Sequence, residues 1–310
     1  MRKSYRELTE GIKTDGERLK LIAELGSSDD LAYHYALICE DWAAGGTLVL
    51  ENSFDRHGEA GIVFLLERLR AFGTASRTGT SSEENATAGT AVDSGAGREI
   101  STDTLGAKKL KQDAGQIRQR NGEQDCRRNS EQDGQQDCQQ DHEQDCRQGG
   151  EADTAYLAAK ILSQLRHRDF YAARAKELAA LLTARWEISD IALRRKQIIA
   201  LGWIGSESEI NLLIDSMQSD SDALCRAWAA AALMQLSFHA VDAAFLRERT
   251  KTAFAEAIQK EGDLNAAGIM IEAAQTLFGK KWISAAAAEA AESESIEKAR
   301  KSALRFLGKA

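Results

Sequence analysis

A chain of 310 residues, 43% apolar and without proline, has material for roughly one to three domains and no residue that forces a helix to break. Its formal net charge of −8 argues against a general phosphate-binding surface, because nucleic-acid affinity comes largely from basic groups that release counterions. Five cysteines, an odd number with three in one polar stretch, do not make a disulfide framework.

The opening residues, MRKSYRELTEGIKTDGERLK, lack the apolar run of a secretory signal. No later run approaches the roughly eighteen apolar residues that span a bilayer, so a cytoplasmic protein with no membrane partner is expected. LIAELG, residues 21–26, is the first of several similar helical endings. His34, in YHY, reads as a helix-packing residue, and Cys39 as a small buried group, as does Cys225 further on. AAGGTLVLEN lacks the glycine spacing and the lysine of a phosphate cradle and reads as a break before a short helix. EAGIVFLLERL, residues 59–69, then carries an apolar helical stripe.

Residues 74–152 contain no aromatic residue and only Val92, Ile100, Leu105, Leu110 and Ile117 as larger aliphatics, too little apolar area to offset the entropy of ordering so long a segment. A disordered, low-complexity insertion is expected there. Within it Cys138, His142 and Cys146 would share one helix face, and Cys126 would complete four soft zinc ligands. Read in fours from Glu123, however, the stretch runs EQDC, RRNS, EQDG, QQDC, QQDH, EQDC. Metal ligation needs the ligand fixed and the filler free, and here the filler is fixed, so a solvated tether with no metal and no cofactor is the reading.

After the insertion, Arg166, His167, Arg168, Arg174 and Lys176 open one helix, and Arg194, Arg195 and Lys196 sit early in the next. Stacking of neighbours would gather these into a positive patch suited to an acidic peptide or a phosphate group; the alternative is a solvated face plus a structural ladder at Arg194 and Arg226. Two helices are legible in SDIALRRKQIIALGWIGSESEINLLIDSMQS, residues 189–219. Asp190 or Ser189 caps the first, Leu193, Gln197, Ala200, Leu201 and Ile204 share a face, and a left-handed Gly205 ends it. Ile210, Leu213, Ile214 and Met217 stripe the second. Trp203 precedes the turn between the two and is the tryptophan best placed to line a groove, ahead of Trp42, Trp186, Trp228 and Trp282. His57, His167 and His239 are isolated, and no catalytic residues are assigned.

DALCRAWAAAALMQLS repeats the first helix 32 residues on, with Asp222, Arg226, Ala232, Leu233 and Leu236 over Asp190, Arg194, Ala200, Leu201 and Ile204. The ending returns in ILSQLR (161–166), AQTLFG (274–279) and ALRFLG (303–308), and residues 59–69 overlay ESEINLLIDSM (207–217) at five apolar positions. This pattern, Asp-x-x-apolar-Arg followed by Ala-Leu-Gly-x-Ile-Gly, resembles HEAT repeats, most of all the short bacterial form first described in phycobilin lyases. Asn211 stands where that family often has proline. The resemblance implies an all-α solenoid of about five or six antiparallel helix pairs, with pairs in 1–73 and 153–310 stacking as one body around the insertion at 74–152. It also implies a non-enzymatic scaffold that holds a protein or peptide on a concave face lined by the second helices. An enzyme or enzyme accessory of the lyase type, or a functional Gln/Asp/Cys-rich arm, is the alternative.

Overall fold

A computed structural model describes residues 4–46, 48–75, 137–186 and 188–308. Among them the chain forms thirteen α-helices and no strand: α1 (Tyr5–Gly11), α2 (Asp15–Gly26), α3 (Leu31–Ala43), α4 (Gly58–Ala75), α5 (Asp137–Gln164), α6 (Tyr171–Thr183), α7 (Ile191–Ile204), α8 (Ile210–Ser219), α9 (Ala223–Leu236), α10 (Ala243–Lys260), α11 (Leu264–Leu277), α12 (Ala285–Glu289) and α13 (Ser293–Leu307). A 3₁₀ segment, Leu50–His57, joins α3 to α4. Met1–Thr78 and Asp145–Ala310 belong to one compact unit. The second unit, Gly79–Gln144, lies outside the described residues except where α5 begins, and with it most of the expected insertion and Cys126; Cys138, His142 and Cys146 fall on the first turns of α5. Helix α5 starts at Asp137, inside the span that composition assigns to the insertion.

From α3 onward, odd-numbered helices are the first members of antiparallel pairs and even-numbered helices the second. Helices α7, α9, α11 and α13 stack on one another in turn, while α4 packs on α6 and α8 on α10. The described residues thus form an α-solenoid of five pairs and a closing helix. The starts of the first helices are written locally. Asp30, Asp190, Asp222 and Asp263 each accept the amide three residues on, at Tyr33 (3.1 Å), Leu193 (2.8 Å), Cys225 (2.8 Å) and Ala266 (2.8 Å), satisfying a donor the helix cannot.

Small residues set the spacing of the stack. A Cβ on Gly202 of α7 would lie 2.8 Å from Ala232 Cα of α9, so the two backbones touch. Helix α9, walled in by α7, α8 and α11, has no exposed residue. Gly205 departs from the expected left-handed cap: its φ is −66° and ψ 174°, extended. Glycine is required there by space, since a Cβ would sit 2.5 Å from Leu201 O and 3.4 Å from Leu236 Cδ2. The overlay of α4 on α8 holds in three dimensions, with Ile62, Leu65 and Leu69 buried like Ile210, Leu213 and Met217.

Polar contacts join the two stretches of the unit. The Tyr35 hydroxyl meets that of Thr154, Arg174 reaches Glu59 (3.2 Å), Arg70 pairs with Glu177, and Arg185 donates to Leu69 O (3.1 Å).

Candidate functional site

Of the cations singled out from sequence, several are held inside the stack. Arg195 on α7 forms a two-pronged pair with Asp222, Nε to Oδ1 and one terminal nitrogen to Oδ2, both 2.9 Å. Burial pushes the Asp222 carboxyl up, but the Arg195 guanidinium and the Cys225 amide outweigh it and hold the group at about 2. Lys196 turns the other way and pairs with Asp153 of α5. Arg174, at the start of α6, contacts Glu177 and Glu59 at 3.2 Å each.

Two of the predicted residues do come together. The exposed Arg166, in the turn after α5, donates to the backbone carbonyl of Trp203 (2.7 Å) at the end of α7. The Trp203 ring leans on Tyr156 with centroids 4.9 Å apart. His239, in the turn after α9, completes this edge by donating from Nε2 to Gly202 O (3.0 Å). Burial and the neighbouring Arg166 lower its basicity to about 4, so the ring is neutral near pH 7. Arg168 and Lys176 are exposed, with no ion pair seen among the described residues.

A further surface was not read from sequence. Between α8 and α10 runs a groove of about 500 Å³ lined in part by Asn211, Ile214, Asp215, Gln218, Arg249 and Thr252. Arg249 donates to Asn211 Oδ1 (2.7 Å) and Gln218 to Glu256 (3.0 Å). Asn211 and Gln218 are seven residues apart and so share a face of α8. Asn211 replacing the family's proline was the one local signal; its partner Arg249 lies 38 residues on, beyond any short-range pattern.

Among the described residues no group of three or more His, Cys, Asp or Glu side chains could hold a metal ion. No described helix is long and apolar enough to cross a membrane. Cys225 is buried, as expected, and its thiol is pushed up to about 12 by that burial; Cys39, expected to be buried, is only half-buried, and burial raises its thiol in the same direction.

Residues 145–234 match the family model of HEAT repeats. The match runs from α5 into α9 and takes in the Asp190 and Asp222 caps with Arg194 and Arg226. Searches among curated proteins and among solved structures gave no match. By sequence over this stretch, and by helix stacking beyond it, the chain is similar to HEAT repeats, a helical-repeat scaffold of a kind often used in protein interactions. The narrower likeness to phycobilin-lyase repeats gains no support from these comparisons.

Proposed function

We propose that the chain is a non-enzymatic, cytoplasmic protein–protein interaction scaffold that holds an extended acidic segment of a partner across its second helices. The observation that carries this reading is the groove between α8 and α10. Its amides and hydroxyl, from Asn211, Gln218 and Thr252, offer both donors and acceptors at the spacing of a helix face, which suits an extended backbone that presents the same two groups. Ile214 supplies an apolar floor. Arg249 supplies positive charge in the groove beside Asp215, and the exposed Lys176 on α6 and the Arg166, Arg168 and Trp203 edge are further places where the same partner makes contact. Arg174, Arg195 and Lys196, each already paired with a carboxylate, keep the helices in position for it.

Selection from a randomised peptide library with the intact chain as bait tests the proposal. Acidic peptides are expected to be enriched, and their affinity to fall roughly tenfold or more in Arg249→Glu or Lys176→Glu, about 1.4 kcal/mol or more. Enrichment of neutral or basic sequences, or affinity indifferent to both charge reversals, would refute it.

A further inference from the structure

The first helix pair departs from the pattern of the others at the residues that matter most. Counting from the cap, the fifth residue is Arg194 in α7 and Arg226 in α9, but His34 in α3; the twelfth is Leu201 and Leu233, but Asp41. Both substitutes are fully buried, and both hold the segment of residues 48–57 that crosses between α3 and α4. Asp41 accepts the amides on either side of Val49, from Leu48 to Oδ1 (3.0 Å) and from Leu50 to Oδ2 (3.3 Å), with the Tyr5 hydroxyl on Oδ1 at 2.8 Å. Val49 is thereby kept at φ 55°, ψ 45°, a left-handed conformation that a β-branched residue adopts only when its surroundings impose it.

His34 makes the other attachment. Its Nε2 lies 3.1 Å from Leu50 O, and its Nδ1 lies 2.9 Å from Nε2 of His57, at the end of the segment. A carbonyl only accepts, so His34 Nε2 carries the hydrogen; in the neutral ring Nδ1 then accepts, and His57 Nε2 must donate. That leaves His57 Nδ1 as the one ring nitrogen able to take a first proton with every bond kept. A second proton, on His34, sets N–H against N–H.

We propose that residues 48–57 form an acid-released strap, shut by the His34–His57 hydrogen bond and opened when both rings are protonated. The shut form is already burdened. Besides Val49, it buries the Ser53 hydroxyl with no hydrogen-bond partner among the described residues. It also seals Leu50 and Phe54 completely, with the Phe54 ring 5.0 Å from both histidine rings. Opening exposes that apolar wall at the first pair of the stack.

The surroundings grade the two protons. His57 faces Asp29 from the α2–α3 turn and Asp55 from the strap itself, which favour its charged form, although burial wins and lowers its basicity. Helix α4 presents Gly61, where a Cβ would come within 2.9 Å of His57 Cβ, and α2 presents Gly26 against Ser53 and Arg56. Asp41, two turns along α3, is already engaged by three donors. Burial lowers His34 to about 4, with the charge on His57 adding to it and the Leu50 carbonyl opposing. Both rings favour the neutral state when folded, so the strap is fully held above about pH 6.5 and loosens as pH falls toward 4.

Hydrogen exchange of the full chain, followed by mass spectrometry and corrected for the intrinsic pH dependence of exchange, tests the strap. Between pH 7 and pH 4, peptides covering residues 46–58 are expected to lose roughly tenfold more protection than peptides from α9. His57→Gln is expected to abolish the difference, because its amide donates to the neutral His34 ring and can turn its oxygen to accept from the protonated one. Parallel loss in both regions, or an unchanged pH response in His57→Gln, overturns the proposal. Ring-nitrogen NMR of the unmodified chain near pH 7 checks it without a substitution: His34 must carry hydrogen on Nε2 and not on Nδ1, and the reverse tautomer would overturn it equally.

Discussion

Arg194 and Arg226 share four hydrogen bonds one repeat apart. Each sends one terminal nitrogen back to the carbonyls six and five residues earlier, Ile188 and Ser189 for the first, Asp220 and Ser221 for the second. Each grips the acid just ahead of the following first helix with its other two nitrogens, Asp220 at 2.8 and 2.9 Å and Glu261 at 2.7 and 2.8 Å. Those acids in turn accept the amides of the next caps, Asp222 and Asp263, at 2.9 Å. The ladder stops at α11, where Ala267 occupies the arginine's place.

Breaking one rung strands a carboxylate. The Glu261 side chain is 1% exposed, so Arg226→Ala is expected to lower stability by about 3 kcal/mol, read by urea unfolding. Replacing both partners, as Arg226→Met with Glu261→Met, is expected to recover most of the loss, because an apolar pair leaves no buried charge behind.

Backbone contact between α7 and α9 gives a second prediction. Gly202→Val forces the helices apart at Ala232 and is expected to cost about 2 kcal/mol or more, with a lower melting temperature. Adding Ala232→Gly removes the Cβ that the new side chain meets and is expected to restore part of it, whereas an equally small change on the exposed face of α10 is not.

The parts of this architecture that sequence made legible are the local ones. Asp190 and Asp222 act on amides three residues away, Arg194 and Arg226 recur with their caps, and the apolar stripes of α4 and α8 overlay because a helix fixes which residues share a face. What stayed hidden was set by distant partners. Arg195 and Lys196 read as open positive charge because Asp222 and Asp153 are 27 and 43 residues away. The groove between α8 and α10 needs two helices at once, and Gly205 was assigned a dihedral when its constraint was space. His34 looked like a helix-packing residue and Asp41 carried no signal, since nothing short-range reveals a segment that folds back over them.

Acid should weaken the stack in two stages. His239 is lowered to about 4 by burial and by Arg166, so the unfolded chain binds its proton first and stability declines as pH falls from about 6.5 toward 4. Asp222 is depressed to about 2 through Arg195, so its contribution is intact above about pH 4 and disappears below that. His239→Gln is expected to shrink the first stage, in melting curves collected across the range, with the rest of it coming from His34 and His57, and to leave the second in place.

Asp41 tests how the first pair differs from its neighbours. Asp41→Leu gives α3 the core residue found in α7 and α9, yet it strips the acceptor from the Leu48 and Leu50 amides and the Tyr5 hydroxyl. A loss of about 3 kcal/mol is expected from urea unfolding. An equal or higher stability would mean that packing, and not these hydrogen bonds, decides the conformation at Val49.

The claim on which the rest stands is that helices before and after residues 79–144 form one continuous stack that presents one peptide-binding face. Phe72 and Gly150 bring the two stretches within contact of each other, so a short Gly/Ser linker can replace that segment. The measurement is thermal unfolding of this variant together with its affinity for a selected acidic peptide. A single cooperative transition and an affinity within about twofold of the intact chain are predicted. Two separate transitions, or a loss of binding greater than roughly tenfold, would contradict the account.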